Sequence, residues 1–140
     1  MNGTGNSGKA SFKTYRVEIP LKLPSCNQYI GECRKNRFAA AKMKAKAEEE
    51  IGLYIKDLPH FEHPVKIRFL WIEENKRRDL DGTAFGKKFI LDALVKFGKL
   101  TNDNRKYVYA FTDDFDYGET TKVILTIEEL EESDGEKTTG

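Results

Sequence analysis

Apolar and polar positions alternate from Phe12 to Leu23, with Tyr15, Val17, Ile19 and Leu21 on one side. That period of two predicts a strand. Pro24-Ser25-Cys26-Asn27 predicts a turn after it. From about residue 34 to 56 the chain is rich in Ala, Lys and Glu and has no proline. There Phe38, Ala41, Ala45, Glu48, Ile51 and Ile55 recur at spacings of three and four. We expect a long helix with this set inward and Lys and Glu on its wet side; Gly52 weakens its last turn.

The loop Pro59-His60-Phe61-Glu62-His63-Pro64 leads into VKIRFLWI, whose Val65, Ile67, Phe69 and Trp71 predict a second strand. A second helix follows from about Thr83 to Phe97, with Phe85, Phe89, Ala93, Leu94 and Phe97 inward and Gly98 as its stop. Two more strands are expected at 107–111 and 122–127, joined by the acidic loop TDDFDYGETT. The order β-α-β-α-β-β predicts an α+β fold, two helices packed on a mixed sheet. Residues 1–12 read as a flexible arm, 13–128 as the domain and 129–140 as an acidic disordered tail.

The chain has 140 residues, one domain's worth. No apolar run approaches the roughly 20 residues of a membrane span, and the first residues lack the apolar stretch of a secretory signal. Cys26 and Cys33 are few enough for a reduced, intracellular chain. We therefore expect a soluble cytoplasmic protein with no membrane partner. The net charge of +1 hides an asymmetry. Residues 1–110 carry 22 Lys and Arg against 13 Asp and Glu, a net of +9; residues 111–140 carry 2 against 10, a net of −8. A basic body can grip a polyanion through one face, although a solvated surface gives the same numbers.

Several familiar motifs fail. GTGNSGKA spells a phosphate loop only up to Lys9: Ala10 stands where Ser or Thr must hold magnesium, and no strand precedes it. DLDGTAFGKKFI starts like a calcium loop but ends in Ile90. His60 and His63 read as loop histidines. No serine elbow is present, and neither cysteine has a histidine partner nearby in the sequence.

The informative stretch is KRRDLDG, Lys76 to Gly82. In an extended segment carboxylates at i and i+2 point the same way, so Asp79 and Asp81 converge on one cation. Magnesium takes a few carboxylates plus water and substrate phosphate. Asp103 follows the second helix and joins the pair if that helix packs back. Lys88, or its neighbour Lys87, could hold a phosphate. Asp92, inside the apolar run FILDAL, needs a partner or a task. The bland reading is a solvated Asp81-Gly82 turn followed by an ordinary Lys88–Asp92 helix pair.

RRDLDG…KKFILDALVKFGKLTNDN resembles the signature of the RusA family of Holliday-junction resolvases. That signature is a basic residue and D-x-D after a strand, a lysine and D-A-L on the next helix, then an acidic pair. PSCNQY is similar to the family's P-S-x-N-x-Y segment, so the resemblance spans most of Tyr15 to Ile127. It implies a RusA-like fold and a homodimer, of a phage-type variant, that resolves four-way DNA junctions by paired nicking in recombination and repair. It implies Mg²⁺, with Mn²⁺ as a substitute and no other cofactor. Asp79, Asp81 and Asp103 match the essential carboxylates and metal ligands, Lys88 the essential lysine, and Asp92 a supporting aspartate. Lys76, Arg77, Arg78, Lys87 and Asn27 fall to DNA binding. Gly82 and Asn102 depart from the pattern. The alternatives are a branched-DNA-binding module without nuclease activity and a basic protein–protein adaptor.

Overall fold

The computed structural model describes residues 11–76 and 80–131. Strand β1 (Ser11–Ile19) opens it, taking Ser11 and Phe12 from the expected arm into the sheet. Helix α1 (Cys26–Lys35) stands where a turn was expected. The Ser25 hydroxyl accepts the Gln28 N–H at 3.2 Å and Gln28 Oε1 accepts the Ser25 N–H at 2.8 Å. This capping box supplies two of the orphan bonds of a helix start. Asn36 ends α1 and caps α2 (Arg37–Ile55) through the Ala39 N–H at 2.8 Å.

The phase of α2 differs from the expectation. Its buried positions are Ala40, Ala47, Glu48, Ile51 and Ile55, whereas Phe38, Ala41 and Ala45 are exposed. Ala39-Ala40-Ala41 leaves the apolar stripe undefined by sequence, and packing against α1 and the later helix at Lys87–Lys96 selects Ala40. The helix runs through Gly52 because Phe97 lies there: a Cβ at Gly52 would come 2.6 Å from the Phe97 ring.

Strand β2 (Val65–Glu73) buries every second residue, as its alternation predicts. The single helix expected next is two, α3 (Leu80–Ala84) and α4 (Lys87–Lys96). The break falls at buried Gly86, where a Cβ would sit 2.9 Å from Leu23 Cδ1 and 3.3 Å from Trp71 Cζ3. Gly98, at φ +76°, turns the chain out of α4 while the Lys99 N–H bonds to the Leu94 carbonyl at 2.8 Å. Strand β3 (Val108–Tyr117) continues through half of the expected acidic loop. Strand β4 (Lys122–Glu131) extends past the expected domain end. Glu129, assigned by charge to the tail, is buried, and its carboxylate accepts the N–H groups of Glu62 and His63 at 2.8 and 3.1 Å.

The sheet order is β1-β4-β2-β3, with β4 antiparallel to β1 and β2 and β3 parallel to β2. The fold is therefore α+β on a mixed sheet. Ile19, Val17, Phe69, Trp71, Leu125 and Ile127 on one sheet face meet Ile51 and Ile55 of α2 and Phe89, Ile90 and Leu94 of α4 in one core. The outer edge of β3 is open, with Phe111, Phe115 and Tyr117 exposed along it. Among the described residues no helix is long and apolar enough to cross a membrane.

Candidate nucleic-acid and metal site

Arg77, Arg78 and Asp79 lie outside the described residues, as does the side chain of Asp81. The backbone of Asp81 belongs to α3. β2 has ended eight residues earlier, at Glu73, so strand alternation does not extend to Asp81. α3 sits at the carboxyl end of β2. Thr83 is buried in a small recess with Leu21, Leu23, Trp71 and Glu73, and its hydroxyl has no hydrogen-bond partner.

The two candidate lysines have different surroundings. Lys87 Nζ meets Asp113 Oδ2 at 2.6 Å, and Asp113 Oδ1 accepts the Trp71 indole N–H at 2.9 Å. The Lys87 ammonium also lies 5.4 Å and 5.1 Å from the ring centroids of Phe69 and Phe111. Lys87 is thus spent on the fold. Lys88 is exposed on the first turn of α4, its Nζ 5.6 Å from the centre of the Tyr29 ring, with no ion pair among the described residues. Tyr29 in turn packs against Phe85 and Phe89. The aromatic cluster therefore aims Lys88 outward, next to the segment that carries Asp81.

Asp92 does have a partner. Lys44 Nζ lies 3.4 Å from Asp92 Oδ2 and 3.3 Å from Glu48 Oε2, tying α4 to α2. Burial works to lower the Lys44 pKa, but the two carboxylates outweigh it and raise it above the ordinary value. Asp103 shares a shallow groove with Lys44, Glu48, Asp92 and Lys96. Its backbone N–H bonds to Asn102 Oδ1 at 2.7 Å. Among the described residues its carboxylate makes no hydrogen bond or ion pair.

The parallel pairing decides where that carboxylate lies. Val65 at the start of β2 pairs with Val108 at the start of β3, and the Val65 N–H bonds to the Tyr107 carbonyl at 2.9 Å. The Asn104 carbonyl accepts from Tyr107 and Val108, so the Asp103 turn caps that end. α3 sits at the other end, beside Glu73. Nine residues of strand separate the two ends, roughly 26 Å. Within one chain, then, Asp103 does not join the Asp81 segment. Among the described residues no group of three His, Cys, Asp or Glu side chains is placed to hold a metal ion.

The basic surface lies on α1 and α2. Between residues 34 and 46 the chain has six cations and no acid. Arg34, Lys35, Arg37, Lys42 and Lys46 are exposed, and only Lys35 among these five has an ion pair, to Glu32 at 2.8 Å. Asn27 is exposed on the first turn of α1. Lys76 Nζ lies 5.5 Å from the ring centre of Tyr117. Sequence reasoning misses Asp113, Trp71 and Tyr29, which set the lysines. The signal for Asp113 is its alternation with Phe111 and Phe115, masked by the charge of TDDFDY.

No protein-family model matches the chain, and no curated protein shows significant similarity to it.

Proposed function

We propose that this chain is a magnesium-dependent endonuclease that resolves four-way DNA junctions as a homodimer. The observation that carries the reading is Lys88, an exposed cation without an ion pair among the described residues, on the first turn of α4, directly after the segment bearing the D-x-D pair. A lysine held on an aromatic cluster and facing solvent is available for a phosphate, where it stabilises charge developing in a displacement. The basic run on α1 and α2 supplies a surface for the flanking backbone.

The metal ligands of this reading are Asp79, Asp81 and Asp103. In one chain the Asp103 turn lies at the opposite end of β2 from α3, so in this reading the third carboxylate is the partner's Asp103. Antiparallel pairing of β3 with its own copy along the exposed edge would build such a site. It sets the start of one strand against the end of the other, and so carries each Asp103 turn toward the partner's α3. The charges agree: Arg105 and Lys106 at the start of β3 meet Asp116 and Glu119 at its end. A cation bound there lowers the pKa of a water and neutralises phosphate charge. A two-fold dimer offers two equal sites to the two equivalent strands of a junction. Lys76, Arg77 and Arg78 hold the neighbouring phosphates.

The second reading is a DNA-binding module without nuclease activity. The distance between Asp103 and α3 favours it for a monomer. Light scattering separates the two: a mass near twice 16.1 kDa supports the shared site, and one near 16.1 kDa favours the binder.

A further inference from the structure

Phe38 is the most exposed large apolar side chain in the described structure, at 78%. It lies two residues from the core position Ala40, about 200° around the helix. The side facing the core is therefore closed to it. On its own side, Lys42 and Lys46 follow at i+4 and i+8, and Arg34, Lys35 and Arg37 flank it in sequence. The apolar residues near it on that side, Ala41 and Ala45, are small.

We infer that Phe38 is a stacking wedge for an unstacked base at the branch point of a DNA junction. The inference rests on the DNA-binding reading above and assigns this surface its ligand. A protein partner needs a contiguous apolar patch of several hundred square ångströms, which one phenylalanine between alanines does not make. A lone aromatic ring among cations of which, among the described residues, only Lys35 is paired fits single-stranded or distorted nucleic acid, where the cations take the backbone and the ring takes a base face. Within a duplex both faces of every base are covered. At a branch the terminal pairs open more readily, and an apolar side chain can enter the step. Phenylalanine has no hydrogen-bonding group, so such a contact selects structure and not sequence.

The position suits the nuclease reading. Tyr29, the ring beside Lys88, stands on α1 seven residues before Asn36, where α1 ends and α2, the helix of Phe38, begins. That is roughly 10 Å of helix, about three nucleotide steps along a strand. A base at Phe38 and a phosphate at Lys88 are thus served by the two helices that meet at Asn36.

The test compares the full-length wild type with Phe38→Ala and Phe38→Trp, binding a synthetic four-way junction and a matched linear duplex in EDTA. Phe38→Ala should weaken junction binding about tenfold and change duplex binding less than about twofold, while Phe38→Trp keeps wild-type preference. Equal losses on both substrates, or no loss on the junction, would overturn the wedge. So would a loss of dimer mass on Phe38→Ala, which would give the residue to a second copy. Failure of the wild type to bind any DNA removes both this inference and the function beneath it, whereas junction binding with a silent Phe38→Ala removes this one alone.

Discussion

Lys87 and Asp113 meet at 2.6 Å, joining the start of α4 to the open edge strand β3, and the same carboxylate takes the Trp71 indole N–H. This half-buried pair separates two adjacent, chemically identical side chains. Lys87 is held in the fold and Lys88 faces solvent. Lys87→Met should cost about 2 kcal/mol of stability, because Asp113 loses its cation. Lys88→Ala should leave stability within about 0.5 kcal/mol of wild type and lower cleavage about a hundredfold with junction binding retained. Urea unfolding and single-turnover cleavage on both variants check this. The reverse pattern would move the phosphate lysine to Lys87.

Asp103 and Asp81 should complement each other between subunits. Asp81→Asn and Asp103→Asn homodimers are each expected to bind junctions without cutting them. Mixing them should form heterodimers with one intact site, restoring about a quarter of wild-type nicking if the chains exchange freely. No recovery in a mixture shown to exchange subunits would place the third ligand within one chain or outside the site.

Glu129 clamps the loop before β2 by accepting from Glu62 and His63. Glu129→Ala leaves two N–H groups without an acceptor and should cost about 2–3 kcal/mol. Residue 129 would tolerate alanine with no change in unfolding midpoint if it belonged to a solvated tail.

Lys44 gives a pH signature. Burial opposes its charge, and the bonds to Glu48 and Asp92 overcome this and raise its pKa in the folded state. A raised lysine pKa contributes stability below the ordinary value of 10.5 and loses it as pH climbs through the folded value. The advantage of wild type over Lys44→Met in thermal unfolding should therefore hold up to about pH 10 and shrink as the pH climbs past the ordinary lysine value and through the raised folded one. A constant advantage would assign the effect to packing of the lysine stem.

The strands β1 and β2 are readable in the chain because strict alternation fixes both type and facing. α1 is readable only through Ser25-x-x-Gln28, a capping box easily taken for the turn that Pro24 suggests. Charge makes TDDFDY look like a loop, while its aromatic residues pair it along β2. The phase of α2 is lost in Ala39-Ala40-Ala41, which is why Phe38 looks like a core residue and stands in solvent. Lys87 and Lys88 cannot be told apart without knowing which one faces β3. The motif from Arg77 to Asp103 is visible as a pattern, but the distance from Asp103 to α3 depends on parallel pairing between strands 35 residues apart, which no local signal encodes.

The central claim is metal-dependent cutting of a four-way junction, and the direct measurement is cleavage of a synthetic junction by purified protein with Mg²⁺ and with EDTA, beside Asp81→Asn. The account predicts paired nicks in opposing strands with Mg²⁺, none in EDTA, and none from Asp81→Asn despite undiminished binding. Junction binding with no cleavage by the wild-type dimer in Mg²⁺ or Mn²⁺, or equal cleavage by Asp81→Asn, would contradict it.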